Sequence, residues 1–400
     1  MGAVEWSVVV LVVAGRLGLP LLIPYFPVPA LLSCLILDAV DQSIFQQFPA
    51  IPLDGYQSYD KALDIYYLSI AYLSTLRNWT NQTAFHMSWF LFYYRMLGAV
   101  LFEITQARAV LFIFPNTFEY FFLFVELVRS RWDTGRMGRR TVIVAAALIW
   151  VVIKLPQEWW IHIAQLDMTD FIKESLFGVA AADGWLTAVA NRPWVLAAMV
   201  VALVAGVAIL YLAVRLKAPP FDHGLLIAAD PLPAWLRGAE PYRKVRAETG
   251  IWSRQLYEKV ALAALLSVIF GLMLSGGEAS APRIAVGAAI FTVANAGVSH
   301  AIAMRGRSWR LLGGELAVML VVNLVILLVL EALDRHLGVR EARVPFAMTL
   351  FFSYLLTLVI VLYDRYHVVF QARRLFRRGA EATLATPGGA GGAGQGGAPA

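Results

Sequence analysis

Charge is what this 400-residue chain has least of. Only 15% of its residues are Asp, Glu, Lys or Arg, whereas 60% are hydrophobic; soluble domains carry about 25% charged residues. One cysteine, Cys34, excludes an intrachain disulfide and a multi-cysteine metal cluster. The six histidines show no His-x-x-x-His spacing, so no zinc motif is readable. There is no glycine-rich nucleotide loop and no Gly-x-Ser-x-Gly elbow. No basic residue precedes the first apolar run, MGAVEWSVVVLVVAGRLGLP, which argues against a cleaved signal peptide and for a first membrane helix.

What the chain has is long apolar runs. A hydrocarbon core of roughly 30 Å needs about 20 helical residues to cross it. On that ruler eleven segments qualify, at about 6–23, 29–48, 61–77, 84–105, 108–128, 140–155, 194–216, 255–275, 283–304, 310–333 and 344–370. The segment at 140–155 is short and that at 61–77 polar, so the expectation is an all-α, polytopic integral membrane helical bundle of about ten transmembrane helices. Its natural partner is the lipid bilayer.

The net charge of +6 does not imply nucleic acid, because arginines collect in a few connections. Arg129, Arg131, Arg136, Arg139 and Arg140 form one group, residues 215–254 a second, Arg305, Arg307 and Arg310 a third, and Arg373, Arg374, Arg377 and Arg378 a fourth. Even numbers of crossings separate them, so all four, with the C-terminus, are expected on the cytoplasmic side of a cell membrane. The scarcity of lysine beside arginine and the abundance of Ala and Gly suggest a bacterial source. RNWTNQT is then cytoplasmic, its Asn78 and Asn81 sequons accidental, and the loop from Pro49 to Tyr59 external.

The expected divisions are 1–128 with polar helices, 129–217 with an external amphipathic segment at 156–175, a cytoplasmic basic loop at 218–254, a four-helix scaffold at 255–371 and a disordered tail at 386–400. The amphipathic segment, LPQEWWIHIAQLDMTDFIKESL, alternates aliphatic or aromatic residues with charges. On that reading Glu158 and His162, four apart, face water.

Four carboxylates stand out against this background. Asp38 and Asp41 lie inside one apolar run, and Asp60 and Asp64 begin the next. An ionised carboxylate at mid-membrane costs roughly 2.5–3.5 kcal/mol even on the insertion scale. Something must compensate the four: a bound cation, a water-filled cavity or a proton. Asp38 and Asp41 are three apart, Asp60 and Asp64 four apart, so each pair shares a helix face. Two such faces can converge on a divalent cation such as Mg or Mn, which take carboxylate oxygens. Asp60 and Asp64, in the first turns of their helix, also suit the positive end of its dipole.

In spacing, Asp38, Asp41, Gly55, Asp60 and Asp64 resemble the signature of the CDP-alcohol phosphotransferases, Asp-x-x-Asp-Gly-x-x-Ala-Arg followed by a glycine and an Asp-x-x-x-Asp pair. The run GRLGLPLLIPYF resembles that family's first helix. The resemblance covers residues 16–67 and implies Asp38, Asp41 and Asp60 as metal ligands with Asp64 as catalytic base. Gln42 stands where the family has glycine, Phe45 and Gln46 where it has Ala-Arg, and one extra residue separates Gly55 from the second pair.

The next two helices hold a second constellation. Arg95 lies midway along AFHMSWFLFYYRMLGAVLFEIT, and Glu119 midway along its neighbour, with Asn116 on the Glu119 face. An unpaired buried charge is strongly destabilising, so an Arg95–Glu119 ion pair is expected. Three functions fit: a metal-dependent enzyme acting on a phosphorylated lipid or lipid-linked envelope precursor, with Asp64 as base and Arg95 anchoring the anionic substrate; a cation- or proton-coupled transporter with a helix broken at Pro115; or a non-catalytic membrane partner.

Overall fold

The computed structural model describes residues 2–46, 56–232, 252–274, 280–304, 312–336 and 346–385. Every regular element among them is helical. Among the described residues, helix lies within each of the eleven apolar segments, and seven helices are long and apolar enough to cross a membrane. Helices α3 (Tyr56–Asn78) and α4 (Gln82–Thr105) have spanning length but are too polar to be counted with the seven, and α2 (Pro27–Gln46), also of spanning length, has side chains near its C-terminal end outside the described residues. The tail at 386–400, the loop at 49–55 and the arginines at 305–310 lie outside the described residues.

The chain divides into two compact units, Met1–Asp230 with Val260–Ile290, and Pro231–Lys259 with Phe291–Ala400. In the first, α1 (Ala3–Gly18) runs into a 3₁₀ turn at Leu19–Leu22, and Pro27 opens α2. A proline at the first helical position forfeits no bond, because that N–H has no partner within the helix. Helix α3 is sheathed on all sides, with nearly every residue from Ala62 to Trp79 buried. Its Tyr72 stacks on Phe92 of α4 at 4.5 Å between centroids. Asn81 starts α4 by accepting from the Ala84 amide at 3.0 Å, a side-chain cap.

Proline shapes the next two helices. Pro115 divides the span Arg108–Arg129 into α5 (Arg108–Ile113) and α6 (Thr117–Arg129), since it supplies no amide to the ladder. In α7 (Arg139–Ile163) Pro156 follows a π turn at Ile149–Lys154, and a second π turn covers Trp159–Ile163. The wider register makes room for a ring that would strike the carbonyl four residues back. The helix therefore runs through Glu158 and His162 to Ile163, where an interfacial segment beginning at 156 was expected. Beyond it lie α8 (Met168–Phe171), a π turn at Ile172–Phe177, α9 (Trp185–Asn191) and the exposed apolar helix α10 (Pro193–Lys217).

One end of this unit is closed by buried polar bonds. Arg77 and Asn78 both donate to the Pro24 carbonyl, at 2.8 and 3.1 Å, and Asn81 donates to the carbonyls of Thr134 and Met137. Both sequon amides are thus engaged. The start of the expected basic surface loop is stitched into the same end: the amides of Asp222, Leu226 and Ala229 donate to Arg131, Ser130 and Tyr25. Arg136 pairs with Asp222 at 2.8 Å.

The second unit contains residues 254–259 of α11 (Arg254–Leu274), the later part of α12 (Ala281–Met304), α13 (Leu312–His336) and α14 (Phe346–Ala385). A ladder of neutral groups crosses it. Asn295 donates to Asn323 at 2.5 Å, and Asn323 to Thr357 at 2.8 Å, all of them buried.

Candidate functional site

The acids of the first helices do converge, and what they meet is an arginine of the same chain. Arg16, in the last turn of α1, is almost wholly buried. Its guanidinium donates to Asp38 at 2.5 Å and Asp41 at 2.8 Å from α2, and to Asp64 at 3.2 Å from α3. A planar fork with five donors suits several carboxylates at once. Asp41 is fully enclosed, whereas the Asp38 and Asp64 side chains are 29% and 36% exposed, so the cluster opens on one side. Three of the four aspartates singled out in the sequence are therefore together. Asp60 lies on α3, its side chain outside the described residues.

This geometry bears on the divalent cation. Asp38 and Asp41 direct hydrogen-bonding oxygens at Arg16, so the guanidinium lies where a shared metal would. Sequence reasoning missed Arg16 as the partner, although it lay in view: it is the one basic residue of the first apolar run.

The second constellation grows from Pro115. Breaking a helix leaves carbonyls before the break and amides after it without partners. Tyr94 of α4 donates to the Ile113 carbonyl at 2.8 Å, and Arg95 to the Phe114 carbonyl at 3.2 Å. On the far side, the Asn116 amide donates to Glu158 of α7 at 3.2 Å. The backbone of α4 comes close at Gly98, where a Cβ would lie 2.2 Å from Phe114 Cβ. Only glycine leaves that space.

Glu119, one turn into α6, accepts from Tyr67 of α3 at 2.9 Å and from the Asn116 side chain at 2.7 Å. The expected Arg95–Glu119 ion pair does not form, because Arg95 is spent on the break. Lys154 of α7 is the cation within electrostatic reach of Glu119, and both Lys154 and Arg95 act on Glu158. Lys154 donates to Gln157 at 3.1 Å and sits 4.2 Å over the Tyr120 ring. His162 lies 3.0 Å from Glu158. Glu158, expected on a wet face, is buried; the π turn and the broken neighbour turn it inward.

Toward the closed end, Glu126 is wholly buried and accepts from Trp79 at 2.7 Å and Arg129 at 2.6 Å. Glu119 and Glu126 are seven residues apart, about 10 Å along α6. Phe121 and Phe122 between them pack with Trp79, and Phe118 beside Glu119 packs with Phe92, all of them buried, to form an aromatic layer. No family model, no curated protein and no solved structure matches this chain.

Proposed function

We propose that this chain is an integral membrane protein of about ten spanning helices, with its basic ends and C-terminus cytoplasmic, that couples proton uptake to the movement of a solute and passes protons on its own when the solute is absent. The observation that carries this is the Arg16 cluster: three carboxylates from two helices gathered on one buried guanidinium, open on one side. Ionisable groups inside spanning helices are costly and mark ion or proton pathways. Protons suit the site because a carboxylate can take one while its neighbours keep Arg16. The broken helix beside a polar network supports the same reading, since transporters place their sites at discontinuous helices. Helices α2, α3 and α4 count among the spans because their polar groups have partners inside the bundle: Asp38, Asp41 and Asp64 on Arg16, and Tyr94 and Arg95 on the carbonyls before Pro115.

The test is proton flux into liposomes containing the full-length protein and an internal pH dye, under an imposed membrane potential. Asp41→Asn should abolish flux while the protein stays folded. The competing reading is a divalent-metal enzyme acting on a phosphorylated lipid headgroup, with Asp38, Asp41 and Asp60 as ligands, Asp64 as base and Arg95 holding the anion. Stoichiometric binding of Mn²⁺, lost in Asp38→Asn and Asp41→Asn, together with an unaltered flux in those variants, would replace the proton reading with that one.

A further inference from the structure

Pro115 accounts for the hydrogen bonds around the break but not for their charge. Orphan helix groups need a polar partner, and neutral Gln at positions 119 and 158 would accept the same bonds at lower desolvation cost. Instead the chain places two carboxylates, Lys154 and Arg95 there, with His162 one turn beyond. By helical rise these groups climb from the closed end, roughly 15 Å for Glu119 above Arg129, and roughly 22, 28 and 34 Å for Lys154, Glu158 and His162 above Arg139. His162 is partly exposed at the far end of α7. Arg95 Nε, Asn116 Oδ1, Thr117 Oγ1 and Trp160 Nε1 are buried without a hydrogen-bond partner among the described residues. Two donors, an acceptor and a hydroxyl make a set that bridging water satisfies.

We infer that the network around the Pro115 break is a proton route that leads from His162 through Glu158 and Glu119 to Tyr67, one turn from Asp64 of the Arg16 cluster. The inference rests on the proton-coupled reading above. A proton taken up at His162 Nε2 passes to the Glu158 carboxylate 3.0 Å away. It crosses the break through water to Glu119, whose carboxylate accepts from Tyr67; once protonated, Glu119 donates to the Tyr67 oxygen as that hydroxyl turns and gives up its own proton toward Asp64. Each step moves one proton between heteroatoms and breaks no other bond. Glu158 faces His162 and Lys154 of its own helix, Arg95 of α4 and the Asn116 amide. Glu119 faces Tyr67, Asn116 and Lys154, with Asp38 further off. The two cations balance the two carboxylates when both are ionised. The aromatic layer below Glu119 separates this route from Glu126.

The same liposome assay tests it. Glu119→Gln and Glu158→Gln should each cut flux about a hundredfold, the scale lost with one proton-transfer group. Both should keep the wild-type thermal midpoint, because the amide retains the hydrogen bonds, and Glu119→Asp should restore flux if the Gln variant folds poorly. Wild-type flux in both Gln variants, with Asp41→Asn inactive, overturns the route and leaves the cluster reading standing. The reverse pattern upholds the route and overturns the cluster reading. Wild-type flux no greater than that of protein-free liposomes overturns both.

Discussion

Two polar networks of this protein sit among apolar helices and use different chemistry, although the second unit also holds one ion pair, Lys259–Asp364 at 3.0 Å. The first unit uses charge: Arg16 on three aspartates, Lys154 between two glutamates, Arg129 on Glu126. The ladder of the second unit uses neutral amides and hydroxyls, Asn295 to Asn323 to Thr357. A neutral ladder ties helices together at low cost and has nothing to titrate. A charged network costs several kcal/mol of desolvation per ion and is destabilised where an enclosed charge loses every partner. That difference separates a fastening from a site, and it can be broken at several points.

The largest effect is expected at Arg16. Its replacement by alanine strands the enclosed Asp41 carboxylate and should cost about 3–5 kcal/mol, read as a fall in thermal midpoint in nanodiscs. Adding Asp41→Asn should recover much of that loss; if the double variant is no better than the single, the cluster does not owe its stability to charge pairing. Next comes Gly98→Ala, whose Cβ has no room against Phe114. Overpacking of this kind should cost about 1–3 kcal/mol. It should also disturb proton flux, because it shifts the break that Arg95 and Glu158 cap. The smallest effect is expected at Asn323→Ala in the second unit, about 0.6–1.7 kcal/mol, from the average to the largest value for interhelical hydrogen bonds in a membrane. Flux should be untouched. A loss of flux there would erase the distinction between the two regions.

How far the site was legible can be followed residue by residue. Asp38, Asp41 and Asp64 were visible because a carboxylate in an apolar run is an anomaly in any frame of reading. The meeting of Asn116 with Glu119 followed from their spacing on one helix. Arg16 was read only as part of a motif, because a single arginine near a helix end has many innocent explanations until its neighbours in space are known. Glu158 was misplaced for a sharper reason. The 3.6-residue period that puts it toward water fails where Pro156 forces a π turn, so pattern reasoning carried a phase error into the segment. The expected Arg95–Glu119 pair failed because the count of charges ignored the backbone: Pro115 freed a carbonyl, and Arg95 went to it.

The sequence by itself determined that this chain is helical, where its apolar segments lie, and which acids need an explanation, because those properties follow from residue chemistry and from periods along one strand of chain. Only the tertiary structure decided what satisfies the acids. Pairing Arg16 with Asp38, Asp41 and Asp64, or Asn116 with Glu158, joins residues 22–48 and 42 positions apart. No local rule reaches that far: the partner of a buried charge is set by which helices pack together, and by where prolines interrupt them.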